Sequence, residues 1–336
     1  MVRYDGRMAL ANATALGRSG ITERTPDPPG GAIVRDADGF PTGVLQGAAM
    51  DAVARMIPRV TPEQRRHAVK RALEQAESLG ITSVQDIGAA NEDIGTYAEL
   101  ASRGELTVRV YVVVTEGGWY DQAKLGVHRA FGSPWLRIGA IRAVLDPSQD
   151  AGGMHTRLMA ADHAGLQLSV APMGDGPTSS VLDLLDDIAQ TNGGRDRRFR
   201  LDGSRIEPAD VDRVASQHLV ALLQPGFIGA TANALFEKGI RVSLGSGWPS
   251  APLNPMLTLD AATTRGVTTV KALSALTSGS AFAEFQDEEK GVIERGKLAD
   301  MVILSDDILA IPVSQIKDVR VLTTMAGGKV VHQRKP

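Results

Sequence analysis

The chain has 336 residues, of which 43% are hydrophobic and 22% charged, and its formal net charge of -3 gives no attraction to nucleic acid or to an anionic membrane. It contains no cysteine, which excludes disulfides, thiolate zinc sites and cysteine nucleophiles. No apolar run opens the sequence, so we expect a cytoplasmic protein that does not enter a membrane.

Residues 1–60 are predicted to form an irregular N-terminal lobe. Within it, residues 22–43 read TERTPDPPGGAIVRDADGFPTG, and their content of Pro, Gly and Asp favours turns or a small hairpin. A helix is predicted over 61–80, because Thr61 and Gln64 have the spacing of a capping box ahead of an apolar stripe. This helix leads into the main part of the chain.

Strand and helix patterns alternate from there to residue 283. Several strands are continuous apolar runs, such as VRVYVVV at 108–114, which is typical of strands buried on both faces. The alternation predicts a parallel α/β barrel over 61–283 with seven strands, one fewer than the usual eight. The predicted strands lie near 81–86, 108–114, 138–146, 166–171, 203–207, 219–224 and 240–245. The predicted helices that follow them lie near 91–103, 119–130, 153–164, 178–190, 208–217, 230–238 and 256–276.

Residues 284–336 are predicted to form a small C-terminal β unit. Two stretches, GVIERGKLADMVILS and VRVLTTMAGGKVVHQ, have the pattern of hairpin-like strand pairs. Their turns are expected at Arg295-Gly296 and at Gly327-Gly328, and the second is a good two-residue hairpin signal.

Several landmarks follow one another along the chain, namely DGRMALANATAL, TPDPPGGAIVRDADGFPTGVL, GITSVQD, GD at 174–175, RIEPAD, LLQP and GSGWPSAPLNP. The C-terminal run GVIERGKLADMVILSDD resembles that of the amidohydrolase superfamily. Earlier landmarks resemble the branch that contains N-substituted formamide deformylases, and the likeness covers nearly the whole chain. This resemblance implies hydrolysis of non-peptide C–N bonds, with zinc or another divalent metal, on a TIM-type (β/α) barrel flanked by a β-sandwich.

The resemblance also implies where metal ligands belong, and this sequence lacks them. No His-x-His pair occurs, and Met1 falls after the place of the first strand that should carry it. The lysine expected on the fourth strand is Arg142, which stays protonated and is a poor metal ligand. Ala171 and Pro208 replace histidines of the fifth and sixth strands, and Gly247 replaces the aspartate of the eighth. We therefore expect no bound metal and no cofactor.

The missing first strand has a structural consequence. A barrel without it has two unpaired strand edges, and open edges invite pairing. We expect the N-terminal segment, a second copy of the chain or another partner to cover this gap.

Polar and aromatic residues at the predicted strand ends form a candidate pocket. The functional interpretation is a cleft for a small-molecule ligand, in which Arg142 recognises an anionic group through its planar fork. The alternative is that arginine and carboxylate side chains pair with one another. The candidates are Asp86, Arg142, Asp146, His155, Asp175, Glu207, Gln224, Ser246 and Trp248.

No histidine pairs with another at metal-ligand spacing. His155 is the strongest exception to a surface or packing role, because it follows Gly152-Gly153 in a shortened loop that can face the barrel mouth. Ser246 is not a credible nucleophile, since no histidine base stands beside it. Two hypotheses stay open: a degenerate family member that is inactive or only binds a ligand, and a working hydrolase with a rebuilt site. The rebuilt site would use Asp146, His155, Asp175 and Glu207 around a metal or water.

Overall fold

The computed structural model describes residues 1–3, 7–146, 151–173, 177–203, 205–229 and 231–334. The chain divides into two compact units, Met1–Gln64 and Arg65–Pro336. The further border predicted at residue 283, between the barrel and the C-terminal β unit, stays a prediction.

The first unit contains a three-stranded antiparallel sheet with a small core of its own. Its strands lie in the order β1-β3-β2. The second and third form the hairpin expected within residues 22–43, and Leu45 at its centre is fully buried. The elements are β1 Met8–Leu10, α1 Ala13–Arg18, β2 Gly31–Arg35, β3 Pro41–Gly47 and α2 Met50–Ala54.

The second unit is built on a curled parallel sheet. Seven strands follow the order β11-β10-β9-β8-β7-β5-β4, and the short β6 joins β7 in antiparallel orientation. Strands β4 and β11 do not pair with each other within the described residues, so the barrel is open there. The predicted barrel that lacks a strand is confirmed. The strands are β4 Ser83–Ala89, β5 Arg109–Thr115, β6 Phe131–Gly132, β7 Leu136–Leu145, β8 Gln167–Pro172, β9 Arg200–Asp202, β10 Val220–Leu223 and β11 Arg241–Leu244.

The helices of this unit, apart from the last one, pack around the outer face of this sheet. The first of them is capped as predicted, since Thr61 Oγ1 accepts from Gln64 N at 3.2 Å and Gln64 Oε1 accepts from Thr61 N at 3.0 Å. None of the described helices has both the length and the apolar character needed to cross a membrane. The helices are α3 Pro62–Ser78, α4 Asn91–Ser102, α5 Trp119–Lys124, α6 Ala151–His163, α7 Thr178–Thr191, α8 Val211–Ser216, α9 Ala232–Glu237, α10 Pro255–Thr263, α11 Thr269–Leu276 and α12 Ser278–Ala283.

Two predicted elements were misplaced. The strand expected at 203–207 lies at β9, because the short run Arg200–Asp202 pairs with β10 while the residues after it form a loop. The single helix expected at 256–276 is two helices. It breaks at Gly266, whose φ of 88° leaves the helical region, and Thr268 then caps α11.

The C-terminal strands form a second antiparallel sheet in the order β12-β13-β14. The hairpin with its turn at Gly327-Gly328 is confirmed. The other predicted hairpin was wrong, because the residues around Arg295-Gly296 form no strand and β12 pairs with β13 instead. The strands are β12 Met301–Leu304, β13 Val321–Ala326 and β14 Lys329–Gln333.

Helix α12 crosses the base of the barrel and contacts both edge strands. At Gly279 a Cβ atom would lie 2.1 Å from the carbonyl oxygen of Val242 in β11, so only glycine fits. Ser280 Oγ lies 2.8 Å from Ser243 Oγ in the same strand. On the opposite edge, Gln85 Nε2 of β4 donates to Glu284 Oε1 at 3.0 Å, just beyond the helix. Coverage of the rest of the gap by a partner stays a prediction.

Candidate active site at the barrel mouth

Three neighbouring strands present hydrogen-bond donors to the barrel interior. The register places Thr115 of β5 beside Arg142 of β7, and Arg142 beside Ser169 of β8. Their chain neighbours, such as Val114 and Val170, belong to the core cluster that packs against the helices. Because side chains alternate along a strand, the three donors face the other way, into the barrel.

Arg142 pairs with a carboxylate two strands away. Its Nε donates to Asp202 Oδ2 at 3.0 Å, and only 3% of the Asp202 side chain is exposed. Strand β8 lies between β7 and β9, so the arginine side chain passes over it. Ala171 of β8 lies where the resemblance implies a histidine, and its methyl group leaves room for this crossing. The pair is an instance of the arginine–carboxylate alternative.

The sequence analysis did not predict Asp202 as a site residue. With the strand predicted at 203–207, this aspartate appeared to precede the strand instead of ending it. The available signal was the run RLDG, in which Leu201 is buried toward the helices and its neighbours face inward. A strand placed there would have given Asp202 as a strand-end carboxylate.

Gly247 is held closely against Gln224. Its φ is 66°, a region that favours glycine, and a Cβ atom would lie 2.2 Å from Gln224 Oε1. The glutamine amide therefore occupies the space into which an aspartate side chain would extend from this position. Next to it, Ser246 Oγ accepts from Trp248 N at 3.2 Å, and Trp248 is 61% exposed.

Two candidates lie away from the mouth. Asp86 is inside β4 and not at its end, and its Oδ2 accepts from Tyr97 OH of α4 at 2.7 Å, so it faces the helices. Burial raises the pKa of Asp86, and burial and the neighbouring carboxylate also raise the pKa of Tyr97. His155 belongs to α6 instead of a loop, and its Nε2 lies 2.7 Å from Asp187 Oδ2 in a partly exposed pair between helices.

Glu207 and Pro208 lie on the rim of a cavity of about 400 Å³. Both are exposed, and Pro208 begins a single 3-10 turn instead of extending a strand. Thr178 Oγ1 donates to Arg205 O at 3.0 Å, and Thr231 Oγ1 donates to Ile206 O at 2.6 Å, which fixes this rim. The cavity is lined by Arg205, Ile206, Glu207, Pro208, Gly226, Ile228, Gly229 and Thr231.

The remaining acidic candidates add little to a metal site. Asp146 is half-buried directly after β7 and makes its own contacts, and Asp175 lies outside the described residues. In the part of the chain that the structure describes, no three His, Asp or Glu side chains converge as a metal would require. At the mouth, Asp202 is paired with a guanidinium, which does not ligate metals. The described residues therefore do not fit the divalent metal that the resemblance implies.

The parallel α/β barrel, followed by a small antiparallel sheet, agrees with the TIM-type fold that the resemblance implies, although here the sheet is open between β4 and β11 within the described residues. The sequence matches the pattern of the amidohydrolase family over residues 1–332, and the chain belongs to this family. The predicted family is thus confirmed.

Relatives and solved structures agree with this assignment. "Protein LONG AFTER FAR-RED 3" of Arabidopsis thaliana is 29% identical, over 99% of this chain and 68% of that protein. The "N-substituted formamide deformylase" of Arthrobacter pascens is 24% identical, over 97% of this chain and 71% of its own length. An uncharacterized metal-dependent hydrolase of Pyrococcus horikoshii has the same fold, with a TM-score of 0.74 at 21% identity, covering 93% of this chain and 72% of that one.

Proposed function

We propose that this member of the amidohydrolase family has lost metal-dependent hydrolysis of C–N bonds and binds a small molecule at the barrel mouth. The observation that carries the proposal is the ion pair of Arg142 and Asp202 across Ala171. The guanidinium of Arg142 repels a divalent cation at this place. It also engages Asp202, the carboxylate with which the described strand β9 ends at the mouth.

The contact of Gly247 with Gln224 supports the same proposal. In the family resemblance this position carries the aspartate that acts as ligand and general base. Here no side chain extends from it, and an amide fills the adjoining space. An amide is neither a general base near neutral pH nor a strong ligand for zinc.

Metal content and turnover test the proposal together. The purified chain is dialysed without chelator and analysed for zinc, manganese, iron and cobalt, and it is assayed with and without added metal. N-substituted formamides are the first substrates, because one similar protein is named as their deformylase. We expect far less than one metal per chain and no turnover.

A stoichiometric metal together with turnover that a chelator abolishes would contradict the proposal and favour a rebuilt site. In that event, Asp146→Asn and Glu207→Gln would each reduce the activity if these carboxylates belong to it. His155→Gln is the informative third variant, because its exposed pair with Asp187 predicts no effect on either measurement.

A further inference from the structure

Among the described residues, some of the hydrogen-bonding groups at the barrel mouth have no partner. The side chain of Ser169 is fully buried, and its Oγ has no hydrogen-bond partner in the described structure. Thr115, two strands away at the end of β5, is exposed and its hydroxyl caps no helix. A buried hydroxyl without a partner costs free energy, so its presence points to a group that the protein alone does not supply.

The guanidinium of Arg142 is hydrogen-bonded through one nitrogen only among the described residues. Nε is taken by Asp202, whereas neither Nη atom has a hydrogen-bond partner among the described residues. The side chain is 36% exposed, so the end of the fork is accessible from the mouth. Two Nη–H groups at the end of a fixed guanidinium match the two oxygens of a carboxylate.

A buried cation lies beside this row of donors and makes no hydrogen bond to a described carboxylate. Arg200, next to Ser169 in the register, is fully buried and bonds only to neutral acceptors, the Ala283 carbonyl and Gln85 Oε1. Lys290 and Glu284 compensate each other at the base. Arg142, Arg200 and Lys290 thus lie near Asp202 and Glu284 in the described interior, and Asp146 follows β7 at the mouth with contacts of its own.

We propose that Thr115, Arg142 and Ser169 bind the carboxylate of a small anionic molecule. The Arg142 Nη atoms donate to both carboxylate oxygens, and the Thr115 hydroxyl donates to one of them. Ser169 lies deeper and binds either the ligand or a water held beneath it. Asp202 keeps the guanidinium in place from its other edge. This inference rests on the proposed function, because it names the ligand class of a barrel that does not hydrolyse.

Titration with sodium acetate at constant ionic strength tests the site, with phosphate and chloride as comparison anions. We expect saturable acetate binding in the range of about 1 mM, and weaker binding of the tetrahedral and spherical anions. Arg142→Gln is expected to weaken acetate binding about tenfold or more, and Thr115→Val about threefold to tenfold. Ser169→Ala should give a smaller loss.

Controls separate binding from folding. Arg142→Lys keeps the charge but not the fork, and we expect most of the loss to remain. Arg213→Gln removes an exposed arginine that pairs with Asp183 on neighbouring helices, and it should leave acetate binding unchanged. Thr115 is exposed, so its variant reports on binding even if changes at Arg142 unfold the protein. Circular dichroism of each variant verifies the fold.

The outcomes distinguish this inference from the proposed function. No saturation up to about 50 mM acetate, equal affinity for phosphate, or unchanged binding in Arg142→Gln and Thr115→Val would overturn the carboxylate site. The proposed loss of hydrolysis would stand in each case. Metal-dependent turnover of formamides would overturn the proposed function, whatever the acetate titration showed.

Discussion

The two ends of the barrel interior differ in how their polar groups are satisfied. At the base, Gln85 and Arg200 are bonded to each other and to the segment around α12, and the Glu284–Lys290 pair is almost fully buried. At the mouth, Arg142 keeps an open edge and Ser169 has a hydroxyl without a partner in the described structure. In barrels of this kind the base stabilises the fold and the mouth carries the chemistry. In this chain the described polar groups of the base satisfy one another, whereas those of the mouth leave hydrogen-bonding groups without partners among the described residues.

The largest effect is expected when the base is broken. Glu284→Gln leaves Lys290 charged and buried with a neutral partner, since the two side chains are only 3% and 7% exposed. Removing one member of a buried pair costs about 3–5 kcal/mol of unfolding free energy. Urea denaturation followed by circular dichroism measures it.

The matched control for that variant is Asp212→Asn, which removes the carboxylate of the exposed Asp212–Lys238 pair. Exposed pairs contribute little, so we expect no measurable change. If both variants lost the same free energy of unfolding, the buried Glu284–Lys290 pair would contribute no more to stability than the exposed Asp212–Lys238 pair.

A smaller loss is expected where α12 passes the edge of β11. Gly279→Ala places a methyl group 2.1 Å from a backbone oxygen, so the helix or the strand must move, at a cost of about 1–3 kcal/mol. Gly95→Ala is the control, because Gly95 is also helical but has nothing within 4 Å of the added Cβ. That change should stabilise by up to about 1 kcal/mol. A melting temperature that falls in both variants would contradict the role assigned to α12.

On the outer face of the same sheet, Asp86 makes the free energy of unfolding depend on pH. Burial raises the pKa of this carboxyl in the folded state above its unfolded value, so the charged form is disfavoured by folding. Stability is therefore lost as pH rises from the unfolded to the folded pKa. Asp86→Asn removes this loss while Tyr97 OH keeps an acceptor, and we expect a gain of at most about 1 kcal/mol at neutral pH. Denaturation at pH 4 and pH 7 checks it, because the gain should be small at the lower pH.

The sequence predicted the architecture better than the contacts at the mouth. Continuous apolar strands, capped helices and the Gly327-Gly328 turn are local signals, and they led to the correct class of fold. In the short strand β9, Leu201 stands between two charged residues, Arg200 and Asp202, so the strand has no apolar run that the sequence could reveal. Asp202 was therefore not recognised as a residue at a strand end. The pairing of Arg142 with Asp202 and the approach of Gln224 to Gly247 depend on strand register and on backbone conformation, which one sequence does not reveal.

The smallest effect on activity is expected from introducing the ligands that the resemblance implies. We predict that Ala171→His, Pro208→His and Gly247→Asp together give no hydrolysis of N-substituted formamides, although three ligands can in principle hold a catalytic zinc. At position 247 the aspartate would need a φ of 66° and would displace Gln224. Assays with added zinc, and zinc content after dialysis, measure the outcome.

Arg142 is one physical reason for expecting no hydrolysis from the triple variant. A histidine at position 171 would contact the arginine side chain that crosses β8, and a zinc ion bound there would stand beside its positive charge. Adding Arg142→Lys and Gln224→Ala to the triple variant relieves the crowding but supplies no counterpart of the His-x-His pair that the resemblance implies. A placement error of about 1 Å lowers a rate on the order of a hundredfold, so the quintuple variant should bind more zinc than the triple variant and still not turn over. Zinc-dependent turnover in the triple variant would instead mean that three ligands in this geometry suffice for hydrolysis. Neither Arg142 nor the absence of a His-x-His pair would then prevent catalysis.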